Sequence, residues 1–305
     1  MGDPQVSETA QSETGAITRI LLKHPRDAFR DAATIARQWR ALHFTSPPDI
    51  SAAIAEYDRF VSSLNGRGAA LHFLPESDET TLDSIYVRDA SVVCDRGAIL
   101  CRMGKPARES ESAAQEAAFR TATYPIVGSI TPPGRLEGGD VIWLDQRTIV
   151  VGRGYRTNDA GITQLRALLK EDIDQLIVVP LPHWRGVTDV FHLMSFISPV
   201  DRDLAVVYSP LMPVPFREFL LDRGISLVEV PDEEFASMGA NVLAIAPRRA
   251  VMLEGNPVTR GRLEAAGVEV IEYEGEHISM KGGGGPTCLT RPLRRAIDPD
   301  ADLRQ

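Results

Sequence analysis

Cysteine is scarce. Cys94, Cys101 and Cys288 are the only three in 305 residues. So low and odd a count excludes a disulfide framework and points to a reducing, cytoplasmic setting. Basic charge is also short: 42 Asp and Glu stand against 33 Lys and Arg, for a net charge of −9. That balance argues against a nucleic-acid or anionic-membrane partner. No run approaches the ~20 apolar residues of a spanning helix, so no membrane partner is expected. HxxxH and CxxC spacings are missing, which weakens a metal-centre reading and leaves no cofactor expected. Residues 1–16 lack the basic start and apolar core of a signal peptide. Their polar composition predicts a disordered N-terminal tail, and 294–305 read as a charged C-terminal tail.

What remains, 17–293, has an ordinary globular balance, with 43% hydrophobic residues in the chain. Within it a unit recurs. Ser91–Cys94, a turn at Asp95-Arg96-Gly97, and Ala98–Cys101 read as a hairpin, followed by a helix over 111–121 and a strand over 125–130. Similar hairpins turn near 146, 202 and 248, each followed by a helix and a strand. The period is roughly 50 residues, the mark of repeat or propeller architectures. A strand at Ile17–Lys23, an amphipathic helix from Ile50 and a strand over 69–74 stand at the front, and Thr287–Leu293 stands at the back. Together they can complete a fifth unit. The sequence thus predicts one domain, a closed five-bladed α/β propeller of ββαβ repeats. An open mixed sheet is the alternative. Cys94 and Cys101 are expected on opposite faces of their hairpin.

In a ring, polar residues at the hairpin mouths would meet on the axis. Four stretches qualify: Leu82-Asp83 to Arg88-Asp89, Arg135-Leu-Glu137-Gly-Gly-Asp140, His192, and Gly282–Gly285 leading to Cys288. Four consecutive glycines imply unusual φ/ψ or close backbone approach. A cysteine nucleophile needs a base or a lowered pKa, and histidine can supply proton transfer near neutral pH. Asp83, Asp89 and Glu137 would form an acidic cup suited to a planar guanidinium. Each residue also has an ordinary structural explanation: a buried cysteine, a histidine bonded to backbone, an acidic turn cap. Trp143 and Trp184 read as packing.

Leu136-Glu-Gly-Gly-Asp140, Val151-Gly-Arg-Gly-Tyr-Arg156-Thr-Asn158, Phe191-His192-Leu193 and Gly284-Gly-Pro-Thr-Cys288 resemble the guanidine-modifying superfamily. Its members are dimethylarginine dimethylaminohydrolases, arginine deiminases and amidinotransferases, and the resemblance covers about Ile17 to Leu293. It implies a five-bladed α/β propeller, the pentein fold, and a small-molecule guanidine substrate without metal or organic cofactor. It implies Cys288 as nucleophile, His192 as general acid/base, and Glu137 as partner of both histidine and guanidinium. Asp89 matches the guanidinium-binding aspartate and Asp83 the acid just upstream. Arg156 and Arg108 match arginines that bind the substrate's α-carboxylate.

Deiminases and amidinotransferases usually carry an Asp two residues after the histidine. Met194 stands there, which favours an N-substituted substrate and the dimethylarginine branch. The expected activity is hydrolysis of dimethylarginine to citrulline and dimethylamine through a covalent S-alkylthiouronium. The alternatives are a deiminase, dihydrolase or amidinotransferase acting on arginine or another guanidine, and a non-catalytic propeller binding protein. A homodimer is compatible with the sequence.

Overall fold

Apolar residues alternate with turns at short intervals, so the chain builds many small sheets. The computed structural model describes residues 7–64, 68–187 and 191–297. The outer parts of the expected tails, 1–6 and 298–305, lie outside the described residues. From the N-terminus come β1 (Glu8–Thr9), β2 (Ile17–Leu22) and β3 (Ala70–Phe73). Four units follow: β4 (Ser91–Cys94), β5 (Gly97–Leu100) and β6 (Ile126–Ser129); β7 (Val141–Trp143), β8 (Thr148–Arg153) and β9 (Gln175–Pro180); β10 (Ile197–Asp201), β11 (Leu204–Val207) and β12 (Ser226–Glu229); β13 (Val242–Ala246), β14 (Arg249–Leu253) and β15 (Glu269–Tyr273). In each unit the first two strands pair antiparallel and the third runs parallel to the second.

The last strand, β16 (Arg291–Ala296), closes the set. It pairs antiparallel with β2, and β3 runs parallel to β2. The chain ends thus reproduce the pattern of the four internal units. The result is a five-bladed α/β propeller in a single domain, as the repeat predicts. A helix bridges the second and third strands of every blade: Ile50–Leu64, Glu111–Thr121, Asp159–Leu168, Val214–Asp222 and Pro257–Ala265. Each buries a narrow stripe, such as Phe216 and Leu220, at the spacing of one helix face. The first two strands of blades one to four are buried almost throughout. Covered on both faces, they read as continuous apolar runs rather than alternating ones.

Three expectations need correction. The N-terminal stretch from residue 7 is folded, not a tail. β1 adds to the edge of β16, Thr9 and the Ala10 N–H bond Asp95, and the Glu13 carboxylate accepts from buried Arg88 at 2.6 Å. Its polar side chains serve internal partners, which composition alone cannot distinguish from solvation. Likewise the final strand runs to Ala296, not Leu293. Arg295 is 1% exposed and donates to the Gly15 and Ala244 carbonyls. Finally, Cys94 and Cys101 lie on one face, in the cluster with Leu136 and Trp143. Cys94 pairs with Gly97 across the turn, and an even step from 97 to 101 returns to the same side.

Candidate active site

Every blade delivers at least one polar group from the mouth of its hairpin. Asp89 precedes β4, Glu137 and Asp140 precede β7, His192 precedes β10, Asn241 precedes β13, and Cys288 precedes β16. All but Cys288 are less than 9% exposed. The third hairpin differs from expectation: its strand begins at Ile197, and a 3-10 turn, Leu193–Ser195, separates it from His192. That turn is locked at both ends. The His192 N–H donates to Ser195 Oγ at 3.0 Å, and the Leu193 N–H donates to Asp140 Oδ1 at 3.0 Å. Asp140 also accepts from the Thr157 hydroxyl at 2.6 Å. The final acid of the Glu-Gly-Gly-Asp element therefore anchors the histidine's backbone. Sequence reasoning gave Asp140 no role, although its fixed spacing from Glu137 was a signal.

His192 Nε2 lies 2.7 Å from Glu137 Oε2, and Nδ1 lies 3.9 Å from Asp89 Oδ1. A Cβ on Gly139 would fall 2.6 Å from Nδ1 and 2.8 Å from Asp89 Oδ1. Only glycine admits that approach. Burial disfavours a charged imidazole, but Asp89, Asp140 and Glu137 outweigh it and push His192 up to about 9. Burial works against an ionised Glu137 too, yet the His192 hydrogen bond and the His192, Arg156 and Arg108 charges hold it below the usual carboxylate range. At neutral pH the pair is imidazolium and carboxylate. Because the folded pKa is raised from the unfolded ~6.5, this stabilisation is fully present below about pH 6.5 and lost as pH rises through about 9. An NMR titration of His192 is expected to show its proton leaving near pH 9, with thermal stability falling over the same range.

Cys288 sits half-buried in a cavity of about 190 Å³ lined also by Gly139, His192, Met194, Asn241 and Thr287. Burial and the Asp89 charge push its thiol up, against the Thr287 hydroxyl, the Gly285 N–H and the Asn241 amide. Three of the four glycines before it, Gly282, Gly284 and Gly285, are close-packed. A Cβ at Gly282 would lie 2.0 Å from Tyr86 Oη, one at Gly285 would lie 2.5 Å from Asn241 Oδ1, and Gly283 has φ +79°. Trp184, read as packing, stands 37% exposed in the cavity wall with Phe235 and Met238.

The acids of the cup are each matched by a protein cation. Lys105 Nζ lies 2.6 Å from Asp83 Oδ2. Arg108 Nη1 lies 2.6 Å from Asp89 Oδ2, and its other nitrogens bond Glu111 and the Tyr86 carbonyl. Arg156 Nη1 lies 3.4 Å from Glu137 Oε1, which also accepts the Gly104 N–H at 2.7 Å. Arg108 and Arg156 are 4% and 5% exposed and do not line the cavity. Their guanidiniums face Asp89, Glu111 and Glu137 rather than open space.

The chain matches the arginine deiminase family over 79–224 and 214–295. It is 32% identical over 254 residues to an N(G),N(G)-dimethylarginine dimethylaminohydrolase of Streptomyces coelicolor, covering 82% of this chain and 89% of that protein. It belongs to the dimethylarginine dimethylaminohydrolase family of the guanidine-modifying superfamily. Solved structures share the fold. A dimethylarginine dimethylaminohydrolase variant of Pseudomonas aeruginosa, complexed with citrulline, superposes with a TM-score of 0.73 at 23% identity, covering 92% of this chain and 99% of that one. An amidinotransferase from Microseira wollei gives 0.76 at 15% identity, covering 95% and 98%.

As a member of that family the protein is a carbon–nitrogen hydrolase of the guanidine-modifying type. Asp89, Glu137 and His192 also bring ligand atoms within 4.8 Å of one another, a metal-capable geometry among the described residues. The donor set argues against a metal there. His192 holds its proton up to about pH 9, and Arg108 and Arg156 already neutralise the two acids. A divalent ion would have to displace cations. Activity is expected to be unchanged in EDTA; a loss restored by added metal would overturn this.

Proposed function

We propose that the protein hydrolyses N-methylated arginine, converting dimethylarginine to citrulline and dimethylamine through a covalent intermediate on Cys288. The observation that carries this reading is Met194, 3% exposed and lining the cavity beside His192 and Cys288. A methylated nitrogen has fewer N–H groups to satisfy and more apolar surface to bury, so a thioether suits it better than a carboxylate would.

In this mechanism the substrate guanidinium docks on Asp89 and Glu137, exchanging with the Arg108 and Arg156 guanidiniums, and those arginines take the α-carboxylate. Asp83 completes the acidic side. The docked cation places its charge directly beside the Cys288 sulfur, which lowers the Cys288 pKa and lets the thiol proton pass to solvent. The thiolate attacks the guanidinium carbon, and His192 gives its proton to the departing dimethylamine. Nε2 is engaged with Glu137, so Nδ1 serves for transfer. Neutral His192 then takes a proton from water, which adds to the thiouronium carbon. Collapse expels the thiolate, the remaining hydroxyl proton passes through solvent to the released dimethylamine, which leaves as dimethylammonium, and the neutral ureido product completes the cycle without cofactor. Free Cys94 and Cys101 in the core suit a reducing cytoplasm.

The test is incubation with dimethylarginine, monomethylarginine, arginine and agmatine in turn, measuring ureido product and released amine. Dimethylamine release with the highest kcat/KM is expected from dimethylarginine. Ammonia from arginine alone would replace this reading with a deiminase. Amidino transfer to an added amine would make it a transferase, and no product from any would leave a binding protein.

A further inference from the structure

Asn241 opens the fourth hairpin at the place where Asp89, Glu137 and His192 open the first three. Its orientation follows from hydrogen-bond chemistry. The Thr287 backbone N–H donates to Asn241 Oδ1 at 3.1 Å, and the Thr287 hydroxyl donates to the same oxygen at 2.9 Å. A backbone N–H can only donate, so the atom facing it must be the amide oxygen. The NH₂ group is therefore the end that faces Cys288 Sγ, at 3.6 Å. The Thr287 hydroxyl also lies 3.9 Å from the sulfur and the Gly285 N–H supports it too, but the single hydroxyl proton of Thr287 is shared with Asn241 Oδ1 at 2.9 Å, so the Asn241 N–H is the side-chain donor committed to the sulfur. Asn241 is 7% exposed, so water competes little for that N–H. Gly285 makes the arrangement feasible, since a Cβ there would overlap the amide at 2.5 Å.

The sulfur needs such a donor. Burial and Asp89 both oppose its ionisation. Arg108, Arg156 and His192 direct their charges to carboxylates. A fixed amide dipole aimed at the place where charge develops costs no reorganisation during the reaction. We propose that Asn241 is a catalytic residue whose amide N–H stabilises the Cys288 thiolate, both before attack and when the thiolate leaves. This rests on Cys288 as the nucleophile of the reading above.

The test measures alkylation of Cys288 by iodoacetamide against pH in the resting protein, without substrate, by mass spectrometry of the labelled peptide. Asn241→Ala is expected to move the alkylation midpoint up by about one to two pH units, the worth of one hydrogen bond to a charged group. On a turned-over guanidine, kcat should fall about 100-fold with KM within about 3-fold. Asn241→Leu keeps the volume without the donor and should shift the midpoint the same way, which keeps the test open if the alanine variant folds poorly. A midpoint unchanged in a folded variant overturns the proposal. Because no substrate is used, a shifted midpoint in a protein that turns over none of the guanidines would sustain the Asn241 assignment while removing the proposed activity.

Discussion

Cys288→Ser is expected to reduce turnover by more than about 10⁴-fold while leaving the fold intact. Serine fits where the thiol fits, so packing against Asn241 and Thr287 changes little. The chemistry changes completely. An alkoxide is far harder to form than a thiolate, and the surroundings already oppose a negative charge: burial and Asp89 raise even the thiol. Among the described residues the nearest proton acceptor does not compensate, because His192 is protonated at neutral pH and paired with Glu137. The measurement is single-turnover product formation with dimethylarginine, together with mass spectrometry for a covalent adduct. Wild type should trap an adduct on the peptide containing Cys288, and the serine variant none. Full turnover by Cys288→Ser would remove the cysteine from the mechanism.

Glu137→Gln is expected to be costly twice over. Glu137 is wholly buried and joins His192, Arg156 and the Gly104 and Lys105 N–H groups. Removing its charge leaves an imidazolium and a guanidinium without their shared counterion. Breaking a buried pair in this way costs about 3–5 kcal/mol, read as a lowered denaturant midpoint. His192 should also lose its proton at lower pH, because one of the charges that raises it is gone. Loss of general-acid function is worth about 10²–10⁴ in rate. The two effects separate by experiment. If substrate or product restores stability but not rate, the loss is chemical. If kcat survives in the folded fraction, Glu137 is structural only.

Much of this was legible in the chain. Hairpins at regular spacing imply a ring because their first two strands are covered on both faces and so read as unbroken apolar runs. Glu137, His192 and Cys288 stood out because polar residues interrupt that pattern at the same place in successive units. Asn241 holds the equivalent place, yet an asparagine before a strand looks like any turn residue, and its role appears only when Thr287 and Cys288 fold against it. Arg295 and Glu13 were misjudged for a related reason. Charged residues near chain ends look solvated, and nothing local reveals partners 75 residues away, as for Glu13 and Arg88, or 280 away, as for Arg295 and Gly15.

The order of elements, the repeat and the types of reactive group were therefore determined by the sequence itself, since they follow from local periodicity and side-chain chemistry. Tertiary structure alone decided how charges were shared. It set Arg108 on Asp89 and Arg156 on Glu137 rather than towards open space, made His192 a cation, and turned the Asn241 amide towards the sulfur. Those outcomes depend on distances of 2.6–3.9 Å, some within a blade, as for Arg108 on Asp89 and Arg156 on Glu137, and others between blades, as for His192 on Asp89 and Glu137 and Asn241 on Cys288. Ring closure sets those distances, and one glycine run near the C-terminus gives the last of them the room it requires.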